Sequence, residues 1–257
     1  MRIGLFIVGA EILSGKRQDK HLSKVIELLA ERGLRLSWAQ VLGDDESQIA
    51  EAIRVVHARG DLLLSCGGIG ATPDDRTRQA AAQALNLPIV RHAEAEALIV
   101  QQYGEAARPN RVLMADFPQG AGLIPNPVNR VAGFFVGDLH FVPGFPEMAW
   151  PMIEWVLDTR YLQLHNHHPA VEYSLRTLGN AAEGDLLHLM EGVLAAFPSL
   201  EFSSLPSRGD AQRPRHIEFG FKGTPAIAAG AYRWFIERLA QEPGITFEEI
   251  RPPAASR

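Results

Sequence analysis

Cysteine is nearly missing from this chain: its 257 residues hold only Cys66. An intramolecular disulfide and a cysteine-rich zinc site are thereby excluded. Cys66 closes an apolar run and reads as a small core hydrophobe rather than a reactive thiol. No apolar run reaches the length of a membrane span, so no membrane partner is expected. Met1-Arg2 leads straight into a strand-like segment without a signal-peptide pattern, and the expected setting is a reducing cytoplasm. Basic excess is missing as well. Residues 1–160 carry 16 Lys/Arg against 19 Asp/Glu, and residues 161–257 carry 9 against 11, for a net charge of -5. Neither half has the footprint of a nucleic-acid binder. There is no Gly-Lys-Ser/Thr phosphate loop and no Gly-x-Gly-x-x-Gly.

What remains is an ordinary globular composition, 46% hydrophobic and 21% charged. The length suits one large domain or two smaller ones. The informative stretch runs from Ser65 to Thr77. Asp61 to Cys66 reads as a buried strand, and Arg78 to Leu85 as a helix of strong helix formers. Between them lie Gly67, Gly68, Gly70, Thr72, Pro73, Asp74 and Asp75. Glycines permit positive φ and let a ligand reach the backbone. Successive N–H groups before a helix form an anion site. Two readings stand open here, a glycine turn capped by Asp74 and Asp75 or a site for phosphate plus metal.

Ile3 to Gly9 is a near-continuous apolar run, as in a central parallel strand. Glu11 stands just past its end, where open α/β sheets bind ligands, with a merely solvated side chain as the lesser alternative. Asp19 to Arg32 predicts a helix with Gly33 as its cap. Leu34 to Leu42 alternates as a strand, and Asp44 follows it either as a ligand group or as a cap for the next helix. Ile49, Ile53 and Val56 mark that helix. This βαβαβα order predicts a parallel sheet with helices on both faces.

Residues 92–103 and 109–115 read as helical. Residues 116–128, rich in glycine and proline, read as irregular and functional. Residues 133–136 and 139–142 predict a hairpin about Gly137-Asp138. Pro143-Gly144 opens a helix through Leu157. His165, His167 and His168 invite a metal reading, but lack carboxylate or cysteine partners at ligand spacing, so a linker is favoured. A boundary near 165 divides the chain into domains 1–164 and 165–257. The second half reads β-α-β-β-α-β, a small split α/β sandwich. Arg208-Gly209-Asp210 reads as a turn, Arg208, Arg213 and Arg215 are the one charged cluster of this half, and residues 252–257 read as a frayed tail.

With these residues in view, the chain resembles the N-terminal module of the CinA family, related to the molybdopterin-binding domains of MogA, MoaB and MoeA. Gly9, Glu11, Leu13, Gly15 and Asp19 match the first block of that pattern. Val41, Gly43 and Asp44 match the second. Gly67-Gly68-Ile69-Gly70 with Thr72, Asp74 and Asp75 matches its most specific signature. Pro118, Gly120, Asn126-Pro127-Val128, Gly133-Phe134, Pro143-Gly144 and Glu147-Met148 follow in family order. The family usually has threonine at Ala10, Asp-Thr-Asn at Asp19-Lys20-His21 and proline at Ala71. It usually continues Asn-Pro-Val with Gly-Thr-Ala-Pro-Gly, where this chain has Asn129 to Gly133.

The resemblance implies a three-layer αβα, mostly parallel sheet with a smaller C-terminal split α/β domain. It implies a metal-dependent pyrophosphohydrolase acting on ADP-ribose-like or FAD-like dinucleotides, or else a pterin- or nucleotide-binding and transfer module. The candidate catalytic residues are Asp74 and Asp75. Gly9, Glu11, Asp44, Gly67, Gly68, Gly70, Thr72, Asn126, Pro143 and Gly144 are the candidate ligand-binding residues. Asp44, Asp74 and Asp75 are the candidate holders of a divalent ion (magnesium, manganese or cobalt). A nicotinamide-nucleotide deamidase domain of longer CinA proteins is not expected, and a homodimer or homotrimer is. A third reading, a KH-like C-terminal half, is disfavoured by charge and by the lack of a Gly-x-x-Gly loop.

Overall fold

A computed structural model describes residues 1–166, 170–178, 182–210 and 214–250. The chain divides into two compact units, Met1–Asn166 and His167–Arg257.

In unit 1, β1 (Ile3–Val8) is buried along its whole length. It lies between β2 (Trp38–Leu42) and β3 (Leu62–Cys66), parallel to both. The sheet order is β2-β1-β3-β8-β7-β6, with β6 (Gly122–Ile124), β7 (Gly133–Val136) and β8 (Leu139–Val142). β8 runs parallel to β3, while the β7–β8 hairpin and the β6–β7 pair are antiparallel. Strand alternation sends Phe6, Val8 and Leu63 to one face, packed with Ile49, Ile53 and Ala81. Leu5, Ile7, Leu62 and Leu64 go to the other, packed with Val25, Leu28, Ile153 and Val156. The first face is covered by α3 (Glu46–Arg59) and α4 (Thr77–Leu85), the second by α2 (His21–Glu31) and α6 (Pro146–Arg160). The architecture is the three-layer αβα, mostly parallel sheet that the sequence predicts.

Several details differ from expectation. The strand before Asp44 begins at Trp38 rather than Leu34. Gly33 has φ +66° and Leu34 N donates to Leu29 O at 2.8 Å, so Leu34 closes the helix instead of opening the strand. Residues 116–128 are not wholly irregular, since β5 (Asp116–Pro118) pairs with β4 (Ile89–Arg91) and β6 pairs with β7. Gly122 leaves room there for the Phe135 ring, which would have to shift for a Cβ placed 2.2 Å from it. Helix α5 (Ala93–Tyr103) agrees with the pattern, whereas Arg111–Ala115 winds as a 3-10 turn.

Unit 2 contains β9 (Val171–Leu178), α7 (Leu187–Ala196), β10 (Glu201–Ser207), β11 (His216–Gly223), α8 (Pro225–Leu239) and β12 (Thr246–Ile250). Its antiparallel sheet runs β10-β11-β9-β12, the split α/β sandwich expected. Leu175, Phe219, Phe221 and Phe235 fill its core. Gly209 takes φ +81°, but Arg208–Asp210 forms no assigned turn and simply leaves β10 as irregular chain. His165 is engaged with the Leu157 carbonyl, Nε2 to O 3.1 Å. His167, His168, Arg213 and residues 252–257 lie outside the described residues.

Candidate functional site

Four parallel strands, β1, β2, β3 and β8, end on one rim of the sheet. Their loops begin at Gly9, Gly43, Gly67 and Pro143. Ligand sites of open α/β sheets lie beyond these carboxyl ends. Here the loops enclose a pocket of about 430 Å³.

The glycine loop is built by necessity. Gly67 has φ +107°, and a Cβ on it would sit 2.1 Å from the Val8 carbonyl oxygen. Gly68 has φ +70°, and its Cβ would strike Thr77 Oγ1 at 2.2 Å. Thr77 is buried and draws two loop carbonyls inward. Its Oγ1 donates to Gly67 O at 3.0 Å and its N–H to Gly68 O at 2.9 Å. Arg78, 4% exposed, takes a third by donating from Nη2 to Gly70 O at 2.6 Å. Its Nη1 donates to Asp116 O at 3.2 Å and to Leu113 O. With these carbonyls held, the N–H groups of Gly68, Ile69, Gly70 and Ala71 donate to no partner among the described residues. All four residues line the pocket.

Asp74 and Asp75 do not cap α4. That helix starts at Thr77, and its cap residue, Arg76, makes no side-chain cap bond. Asp75 Oδ2 instead accepts from Thr72 N at 2.9 Å and from Thr72 Oγ1 at 2.5 Å, closing the loop on itself. Asp74 is exposed, and the Thr72 side chain beside it, with its own backbone N–H, holds its carboxyl below the usual range. Asp44 does not cap α3 either. Asp45 does that, accepting from Gln48 N at 2.8 Å, and Asp44 Oδ2 accepts from Ala10 N at 3.1 Å. The Glu11 carboxylate folds back against Gly9, whose Cβ would lie 2.6 Å from Oε2.

All twelve expected residues line this one pocket: the four carboxylates, Gly9, Thr72, the three loop glycines, Asn126 and Pro143-Gly144. Asn126 is a frame element. Its amide donates to Val131 O at 3.1 Å and its carbonyl accepts from Val128 N at 3.0 Å, so its side chain is spent inside its own loop. Arg17 is the one cation among the residues that line the pocket, alongside Glu11, Asp44, Asp74 and Asp75. Asp44, Asp74 and Asp75 share the pocket without closing up. Among the described residues no three His, Cys, Asp or Glu side chains form a group that could hold a metal ion. Cys66 lies beneath the rim, 1% exposed, its thiol pushed far up by burial.

Sequence reasoning passed over Thr77, Arg78, Arg17, Met114, Asn129, Phe145 and Met148. For Arg78 a signal existed: it shares the i, i+3, i+7 stripe of Ala81 and Leu85, an apolar helix face with one cation.

A doubly covered, mostly parallel sheet with a glycine-lined pocket at its carboxyl edge places unit 1 in the α/β class that carries its site beyond the strand ends. A family profile described as "probable molybdopterin binding domain" matches residues 4–163. The chain belongs to that family, as a CinA-type N-terminal module. It is 33% identical over 204 residues to a CinA-like protein of Citrifermentans bemidjiense, covering 76% of this chain and 48% of that protein. It is 29% identical over 202 residues to a putative competence-damage inducible protein of Lacticaseibacillus paracasei, covering 76% and 49%. The chain thus spans about half the length of these curated relatives. Among solved structures, CinA of Thermoplasma acidophilum, described as of unknown function, aligns with TM-score 0.57 and 28% identity. That alignment covers 62% of this chain and 98% of that one. No helix among the described residues is long and apolar enough to cross a membrane.

Proposed function

We propose that the pocket of unit 1 binds the phosphate end of a nucleotide or pterin and, with a divalent ion, hydrolyses the pyrophosphate of an ADP-ribose-like or FAD-like dinucleotide. The observation that carries this reading is the run of four uncommitted N–H groups from Gly68 to Ala71. Such a nest receives phosphate oxygens.

The carboxylates are oxygen donors of the kind a divalent ion takes, and they would have to draw together around it to hold it. A phosphate alone would meet four carboxylates and one arginine, a repulsive balance. Oxygen ligands of this kind suit magnesium or manganese, which share their coordination with substrate phosphates. Asp74, Asp75 and Asp44 are the residues that would hold it. Such an ion supplies charge neutralisation and an activated water. The chain's own part is positional. The nest holds phosphate oxygens, Thr72 keeps Asp75 in place, and Asp44 braces the Gly9–Ala10 turn through the Ala10 N–H.

A second reading, binding or transfer of a pterin or nucleotide without hydrolysis, is favoured by one observation: no three carboxylates are gathered for a metal before ligand arrives. The test is AMP release from ADP-ribose and from FAD with magnesium, manganese or cobalt, beside Asp74→Ala and Asp75→Ala. Metal-dependent AMP that falls to background in both variants supports hydrolysis. Tight binding of the dinucleotide without AMP selects the second reading. A homodimer or homotrimer in a cytoplasmic setting belongs to the same proposal, and light scattering measures the mass.

A further inference from the structure

Phe145 is the one aromatic side chain on the pocket wall, and it is 54% exposed. Its backbone is pinned. Pro146 follows at the first turn of α6, and the Phe145 carbonyl accepts from Met148 N at 3.0 Å and Ala149 N at 2.8 Å. Gly144, just before it, has its carbonyl bound by His21 Nε2 at 3.1 Å. The ring is therefore presented on a rigid turn rather than on a loose loop. Met148, one turn along α6, is set by Asn129, whose Nδ2 donates to the sulfur at 3.6 Å and whose Oδ1 accepts from Val131 N at 3.0 Å. Phe145 and Met148 line the same pocket as the glycine nest, so the site combines an aromatic–thioether pair with a run of backbone donors. Small-molecule sites combine these two kinds of wall, and about 430 Å³ lies within their usual range. Thioethers and aromatic faces both favour contact with π-systems.

We propose that Phe145, with Met148 beside it, forms a subsite for the flat heteroaromatic ring of the ligand whose phosphate enters the nest. The inference rests on the phosphate reading above, but not on turnover. It makes Phe145 a specificity-determining residue. Ligands with a ring gain affinity from it, and ligands with phosphate alone do not.

The experiment is calorimetric binding of AMP, FMN, ribose 5-phosphate and inorganic pyrophosphate to wild type, Phe145→Ala and Phe145→Trp, with magnesium throughout. Phe145→Ala is expected to weaken AMP and FMN by about 5- to 100-fold, the range of base–aromatic stacking, and to leave the other two unchanged. Phe145→Trp is expected to keep ring affinity, and its added tryptophan emission is expected to change on FMN binding. Equal losses for AMP and ribose 5-phosphate overturn the inference, as does no loss for either. Failure of wild type to bind any ring ligand overturns it too. Absence of AMP release with ring-selective binding intact refutes hydrolysis alone. The exposed position makes the variants' melting temperature a usable control for folding.

Discussion

Replacing Arg78 with methionine isolates what holds the glycine nest. Arg78 is buried, yet no carboxylate stands within ion-pair distance of it among the described residues. Burial lowers its guanidinium from the usual arginine range, while the charges of Asp116 and Asp75 oppose that shift. Its partners are three backbone carbonyls, Gly70, Leu113 and Asp116. Methionine keeps most of the packing volume and removes all three bonds. A hydrogen bond to a charged group is worth about 1.5–3 kcal/mol net. Leu113 is 39% exposed, so water recovers part of that contact. Removing a buried cation also relieves desolvation, and Nε is a buried donor without a partner in the native fold. The expected net loss is about 2–4 kcal/mol.

Urea unfolding followed by tryptophan fluorescence reads this directly, since Trp38, Trp150 and Trp155 belong to unit 1 and only Trp234 to unit 2. A loss of about 2–4 kcal/mol corresponds to a drop in Tm of about 5–15 °C for a unit of this size. Arg78→Lys keeps the charge but cannot reach three carbonyls, and an intermediate loss is expected. Amide hydrogen exchange at residues 67–72 is expected to rise in both variants. A stability change below about 1 kcal/mol with unchanged exchange would refute the claim that Arg78 holds the loop.

Gly67→Ala places a Cβ against the Val8 backbone oxygen at a positive φ, and a loss of at least about 2 kcal/mol is expected in the same urea assay. Asp75→Ala frees the Thr72 N–H and hydroxyl, which solvent can reach. It should cost about 1 kcal/mol or less while raising exchange at Thr72. His140 is held neutral, its pKa lowered from 6.5 to about 4, chiefly by burial and with Arg160 adding to the effect. The unfolded chain takes up this proton below pH 6.5 and the fold refuses it until about pH 4. Stability from this group is therefore full above pH 6.5 and falls by about 3 kcal/mol as the pH drops through that window. Urea midpoints between pH 7 and 4 check this, and His140→Gln is expected to flatten the slope. Cys66 is expected to resist thiol reagents in the native protein and to react on unfolding.

The nest was legible because its chemistry is local. Glycines that need positive φ, strand ends and paired aspartates announce themselves at fixed spacing. The roles of those aspartates were not legible. Asp44 and Asp45 are equal candidates for capping α3, and only the helix start decides that Asp45 caps while Asp44 reaches Ala10 across 34 positions. Asp75 offered a cap one residue too early, and its Asx-like closure with Thr72 won instead. Strands β4 and β5 are three residues each, too short to carry a period, and β4 is exposed throughout. Phe145 and Met148 depend on which segments the fold brings opposite them, and no local pattern carries that, whereas Arg78 showed as the one cation on an apolar helix face although its carbonyl partners did not.

The departures from the usual family residues acquire a physical meaning here. Ala10, where threonine is usual, acts through its N–H on Asp44, a bond that needs no hydroxyl. His21, where asparagine is usual, does not line the pocket. It is 5% exposed, with Nε2 donating to the Gly144 carbonyl and Nδ1 without a partner. It serves as a strut under the Pro143–Gly144 turn, and that turn abuts the loop, with a Gly144 Cβ placed 3.3 Å from the Gly67 Cα. Asn129, in the altered segment after Val128, fixes the Met148 sulfur. Ala71 stands in the nest itself, where the usual proline would carry no N–H, so this change adds a donor there, while the other changes fall on the supports and beside Met148.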